Sequence, residues 1–170
     1  MSLVYVVKNL GGVYTEDGGN DAEIAHRIAQ VGRAAGAVYP LLKDQHMGLE
    51  VKRVIYENVL TPIMMYGAET WCTTRRHESR IQATEMRMLR AMIGKTRRDR
   101  IRNERVRQEV GLVPVLRRID VARLRWWGHL ERMPENRMAK SRWNWTPNGR
   151  RPRGRPRKKW RESVQDALKR

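Results

Sequence analysis

A chain of 170 residues with 36 Lys or Arg against 18 Asp or Glu has room for one ordinary domain, and its formal net charge of +18 far exceeds what a fold needs. Such a surplus points to a polyanionic partner. Nucleic acid stands ahead of an anionic membrane surface, because the most basic segment holds Pro and Gly where a membrane-surface helix needs continuity. Cys72 is the only cysteine, which excludes a disulfide framework and a CxxC zinc site, and the apolar run at Met1–Val7 is too short for a signal sequence or a membrane span. A reducing, nuclear or cytoplasmic location is expected.

The charge is unevenly distributed: residues 1–50 carry a net −2, residues 51–132 carry +10 and residues 133–170 another +10. Phe is absent, so Leu, Ile, Val, nine Met and six Trp must build the core. Leu3–Val7 reads as a strand, followed by a Gly-permitted bend at Gly11-Gly12 and a second short strand through Val13 and Tyr14. Thr15–Asn20 is turn chemistry, after which Asn20 or Asp21 can cap a helix with Ile24, Ile28, Val31 and Ala35 on one stripe. Gly32 and Gly36 each cost that helix about 1 kcal/mol against Ala, which would make sense where another backbone packs close. Pro40 is expected to close it.

From Leu49 a second helix follows, with Val51, Val54, Ile55, Asn58, Val59, Pro62, Ile63 and Tyr66 at the helical period. Pro62 lies inside it and predicts a kink one turn earlier. Thr73 or Thr74 can cap a third helix reaching Ile93, with Ile81, Met88, Leu89, Met92 and Ile93 inward and Gly94 as its stop. Lys95–Arg102 forms a basic loop; Asn103 then caps a short helix that carries Val106 and Val110 and stops at Gly111. Pro114 opens a long helix that Pro134 ends. Its Val115, Leu116, Ile119, Ala122, Trp126, Trp127, Leu130 and Met133 share one arc, while Arg118, Arg125 and Arg132 fall on a single line elsewhere. Two readings stay open for that line: a solvated back of a core helix, or a guanidinium ladder for phosphates. Trp160–Arg170 can form a final short helix.

No catalytic constellation assembles. His26, His46, His77 and His129 are scattered, and Cys72 with His77 reads more naturally as a buried thiol beside a helix start than as a nucleophile and base. Gly11-Gly12 and Gly18-Gly19 lack the Lys-Ser/Thr of a phosphate loop, and turn or cap roles account for Asp17 and Asp21. The basic arm is more informative. Pro152-Arg153-Gly154-Arg155-Pro156 resembles the core of an AT-hook, flanked by Arg151, Arg157, Lys158 and Lys159. An extended, Pro-fixed arm of this kind can lay its arginines in a narrow minor groove; alternatively it is a solvated linker that meets phosphates without preference.

Several longer motifs resemble one family in a single order along nearly the whole chain. They are Leu10-Gly11, Asp17-Gly18, Asp21-Ala22-Glu23-Ile24 with Arg27-Ile28, Leu60-x-Pro62, and Tyr66-Gly67-Ala68-Glu69-Thr70-Trp71. After these come Arg87–Arg90, Asp99–Glu104, Leu124-x-Trp126-x-Gly128-His129-x-x-Arg132-Met133, and Gly154-Arg155-Pro156-x-x-x-Trp160. The set is similar to the C-terminal region of non-LTR (LINE-like) retrotransposon endonuclease/reverse transcriptases and to craniofacial development protein-like relatives. The resemblance implies a primer-grip-like hairpin at Asn9, Leu10 and Gly11, although the family usually has Tyr where this chain has Asn9. It implies a palm-end stub over 1–20, a thumb-like three-helix bundle over 21–94, a basic helical extension over 95–133, and a Trp/Arg-rich flexible arm with a short terminal helix over 134–170. The expected fold is therefore mainly α, with a β-hairpin stub and a disordered basic tail. The family's catalytic Asp pair, fingers and endonuclease would precede residue 1. So no catalytic or metal residue is assigned here, no cofactor is expected in this chain (Mg²⁺ belongs to the parent polymerase), and the chain alone is not expected to be an enzyme. The expected partners are an RNA/DNA or DNA duplex and the missing palm and fingers, with no membrane. Arg118, Arg125, Arg132, Arg151, Arg153, Arg155, Arg157, Lys158 and Lys159 are the expected nucleic-acid contacts.

Overall fold

The structure, a computed structural model, describes residues 6–16, 18–145, 154, 156 and 158–170. Strands β1 (Val6–Asn9) and β2 (Gly12–Thr15) pair antiparallel, with Lys8 opposite Val13 and Asn9 opposite Gly12. Only Leu10 and Gly11 lie between them, at φ 47° and 78°, because a two-residue hairpin of this hand needs positive φ at both positions. Gly accepts that freely; Leu10 does not, and it stands exposed at the tip. The start of the expected strand, Leu3–Tyr5, lies outside the described residues.

Helix α1 (Asp21–Lys43) is the central element, and both the segment 56–65 and helix α4 (Arg75–Met92) pack on it. It runs through Pro40 rather than ending there. The carbonyl that Pro40 leaves without a partner belongs to exposed Gly36, where water can satisfy it, and fully buried Leu42 anchors the last turn. Neither glycine serves close backbone packing: a Cβ at Gly36 would meet nothing within 4 Å, and one at Gly32 only the Arg87 guanidinium at 3.8 Å. Asn20 sits at the cap position, but its side-chain oxygen accepts the Cys72 N–H at 2.8 Å instead of capping.

Helix α2 (Leu49–Ile55) passes into one π-helical turn, Tyr56–Leu60, and then into α3 (Thr61–Met65). The irregular turn lies where the missing Pro62 N–H was expected to disturb the ladder. The buried face is not the one the valines mark. Lys52, Tyr56, Leu60 and Met64 point into the core, whereas Val51, Val54, Val59 and Tyr66 are exposed. The buried stripe recurs every fourth residue. A 3.6-residue turn would let such a stripe drift round the helix, and the wider π turn takes the drift back.

The local stops behave as read, but Asn103 does not cap its short helix: Arg102 stands at the cap position and the Asn103 side chain accepts from Arg90 at 2.8 Å. Thr74 caps α4 in a reciprocal box with His77, Gly94 follows its end at φ 65°, and Gly111 closes α5 (Asn103–Val110) at φ 71°. Helix α6 (Val115–Arg132) follows, with Pro114 at its N-cap and Pro134 beyond its end. In the stretch expected as a flexible arm, helix α7 (Met138–Asn144) was not expected, whereas α8 (Trp160–Lys169) is the expected short terminal helix, and it docks on α6 through Val164 and Ala167. Ile24, Val31, Leu42, Tyr56, Leu60, Met64, Trp71, Ile81, Leu89, Val106, Val110, Val115 and Ile119 share one core. The chain is thus mainly α-helical with a short N-terminal hairpin, as expected. Among the described residues no helix is long and apolar enough to cross a membrane.

Candidate nucleic-acid interface

The segment Tyr66–Trp71 joins the fold's parts. Its Tyr66 hydroxyl donates to the Leu10 carbonyl at 2.6 Å, and the Tyr66 ring carries the Arg27 guanidinium 4.4 Å above its centroid. Arg27 donates in turn to the Gly11 carbonyl and to Glu23, whose other oxygen accepts the Val13 N–H. Both carbonyls of the hairpin turn are therefore held from below by a buried ion pair and a stacked ring. That clamp keeps Leu10 in its costly conformation, worth about 1–3 kcal/mol. Asn9, Leu10 and Gly11 thus present a rigid, exposed turn.

Farther along the same segment, the Glu69 carbonyl accepts the Trp160 indole N–H at 2.7 Å, and the Trp71 carbonyl accepts from Arg123 at 3.2 Å. Trp71 itself is buried at the corner. Arg123 also bonds Asp120 at 2.7 Å, and burial pulls its pKa below the ordinary guanidinium value. Sequence reading missed Arg123: it falls inside the apolar arc of α6, between Leu130 and Leu116 round the helix, and was set neither with the core nor with the line of arginines. It missed Glu85 as well: fully buried on α4, this carboxylate accepts the Val115 N–H at 2.7 Å and Arg107 at 2.8 Å, and so fixes α5 and α6 to α4. Its only sequence signal is an acid at a core position of the helical period.

The expected ladder divides. Arg118 is bound to Glu57, while Arg125 and Arg132 are exposed with no ion pair among the described residues. A second exposed group was not assigned from sequence. Lys95, Arg97, Arg98, Arg100, Arg102 and Arg105 all face solvent without an ion pair among the described residues. This loop is ordered by its own cap: the Asp99 carboxylate accepts the Thr96 N–H at 2.6 Å and the Thr96 hydroxyl at 2.8 Å, bonds that hold its pKa below the ordinary carboxylate range. Arg100 follows in the left-handed region at φ 53°. Arg90 then ties the loop's far end through the Ile101 carbonyl and Asn103.

In the basic arm, Arg151, Arg153, Arg155 and Arg157 lie outside the described residues. Lys158 is turned inward, paired with Asp166 at 2.7 Å and donating to the Thr73 carbonyl at 3.2 Å; Lys159 is exposed. His77 is engaged by Thr74 and by Asp21 at 2.9 Å, and burial pushes the Cys72 thiol up, away from thiolate chemistry. Among the described residues no three His, Cys, Asp or Glu side chains gather where they could hold a metal.

No family model matches the chain, and no solved structure matches it. It is similar to an uncharacterised transposon-derived protein of Caenorhabditis elegans, 23% identical over 144 residues that make up 80% of this chain and 52% of that protein. The chain thus spans about half the length of the curated relative it matches, and the similarity supports a transposon-related origin.

Proposed function

We propose that the chain is a thumb and post-thumb portion of a non-LTR retrotransposon reverse transcriptase, and that its own activity is to hold a nucleic-acid duplex. The observation that carries this reading is the sorting of its cations. The fold uses Arg27, Lys52, Arg123 and Lys140 internally, yet leaves the cations of the segment 95–105 together with Arg125 and Arg132 exposed and without an ion pair among the described residues. A surplus presented this way, part of it on a loop ordered by its own hydrogen bonds, suits phosphates spaced along a backbone. The similarity to a transposon-derived protein agrees with the origin. The sequence motifs agree with the family, and the clamped turn at Asn9–Gly11 agrees with a hairpin that must keep its shape against a primer.

The family's paired catalytic carboxylates have no counterpart in this sequence, so no polymerisation is assigned to this chain. The test is fluorescence anisotropy on an RNA–DNA hybrid and on an A·T-rich DNA duplex across a salt series. Binding to both, weakening steeply with salt, supports the duplex clamp. A strong preference for A·T-rich DNA would favour the AT-hook-like accessory protein instead. Binding to neither would leave a translated remnant.

A further inference from the structure

Helices α6, α7 and α8 enclose a cleft of about 390 Å³, which the duplex reading leaves without a role. Trp126, Trp143, Trp145 and Trp160 line it, with Arg142, Lys159 and Arg161 at its wall. The rings are held in place. Trp143 meets Trp160 edge to face at 5.4 Å, and Trp160 is pinned by its bond to the Glu69 carbonyl. Arg161 stacks 4.4 Å from the Trp143 centroid and donates to the Trp143 carbonyl at 3.2 Å, while Arg142 lies 6.0 Å from that of Trp145. Behind the cleft, Glu131 is neutralised by buried Lys140 at 2.9 Å and accepts the Trp127 indole at 3.0 Å. No acidic side chain stands among the described residues of the lining.

We infer that this cleft binds unpaired nucleotides, stacking one or two bases on Trp145 and Trp143 while Arg142, Lys159 and Arg161 meet the flanking phosphates. Three features select that ligand class. The volume is that of a small-molecule site, too small for a duplex, whose bases already stack on one another and present only edges. The aromatic faces suit any base, and cations interleaved with them are the common arrangement for single strands. An aromatic cage for a quaternary ammonium would need an electronegative wall, and this wall carries three positive charges instead. Trp145 is 57% exposed, so the residue is within reach of a ligand from solvent. This inference rests on the nucleic-acid reading above but assigns a different substrate form to a different part of the molecule.

The experiment uses the full chain, a dye-labelled oligothymidine and a blunt DNA duplex of equal length, followed by anisotropy and by intrinsic Trp fluorescence. The single strand should quench Trp emission, and the duplex should bind with little quenching. Trp145→Ala should weaken single-strand binding about tenfold and leave duplex binding unchanged, and Trp145→Tyr, which keeps a ring, should recover most of the loss. Trp145 is exposed, so its removal is not expected to lower the melting temperature. Duplex binding with no quenching by the single strand, or a Trp145→Ala variant that binds both like the parent, would overturn the cleft assignment and leave the duplex reading standing. Failure to bind either form at low salt would overturn both.

Discussion

Two sets of basic residues, similar in sequence, end in opposite circumstances. Arg27, Lys52, Arg123 and Lys140 are buried, and each donates to a carboxylate or a carbonyl outside its own helix: Arg27 to the hairpin, Lys52 to the Met92 carbonyl at 3.0 Å, Arg123 to Trp71, Lys140 to Glu131. The cations of the segment 95–105 have no such partners among the described residues and stand in water. The first set closes the fold, and the second is left for something outside it. Net charge alone does not distinguish them. The comparison teaches that a basic protein's binding surface is what remains after its own carbonyls and carboxylates have taken their share.

The sharpest way to break the comparison is to remove the closure. Trp71→Ala should cost about 3–5 kcal/mol, because the ring is buried at the corner where the hairpin side, α6 and α8 meet. Arg123→Ala should cost about 3 kcal/mol, since it strips the Trp71 carbonyl of a donor and leaves Asp120 with only the outer Arg170 among the described residues. Urea titration of both variants checks this. A loss below about 1 kcal/mol in either would show that the corner is not the closure described.

The opposite set should behave in the opposite way. Replacing Arg97, Arg98 and Arg100 together by Ala should leave stability within about 0.5 kcal/mol. The same variant should lower the salt dependence of duplex binding by up to roughly three units of slope. If Arg125→Ala with Arg132→Ala changes the slope and the loop variant does not, the long helix is the clamp and the loop is not.

A subtler expectation concerns α2 and α3, where sequence and structure part. Caps and stops were legible: Thr74, Gly94, Gly111 and Pro134 act through their own backbone or the next turn, and a one-dimensional pattern records such effects. Pro62 was legible for the same reason. The phase of the helix was not. Val51, Val54 and Val59 look like core at the ordinary period, but Lys52 and Tyr56 are buried against groups from α4 instead, and the π turn keeps Leu60 and Met64 on their line. The same limit hid Glu57, which binds Arg118 from 61 residues away and withdraws it from the expected ladder. The docking of α8 depends on the Glu69 carbonyl, 91 residues before Trp160, and no local rule reaches so far. Accordingly, Val54→Lys with Val59→Lys should change the melting temperature by no more than a degree or two, whereas Leu60→Ala should cost about 2–5 kcal/mol. Calorimetry of the two variants decides which face is the core.

The smallest effect expected lies in the loop itself and depends on pH. The Asp99 carboxylate is held below the ordinary range by the Thr96 N–H and hydroxyl, with Lys95 adding attraction. A depressed folded pKa means that the unfolded loop binds the proton more readily than the ordered one. The order conferred by Asp99 is then fully present above the ordinary carboxylate pKa and fades as pH falls through the lower folded value. At neutral pH the six cations should be presented in one arrangement; in acid the Thr96 cap is lost and the loop loosens, while the buried core is unaffected at first. Amide exchange at Thr96 and Arg98 measures this locally. Asp99→Asn should show the loosened pattern already at neutral pH, with no change in global unfolding. If its exchange matched the parent's, the αL turn at Arg100 and the Arg90 bonds to Ile101 and Asn103 would suffice to order the loop, and the carboxylate would serve only to lower its charge.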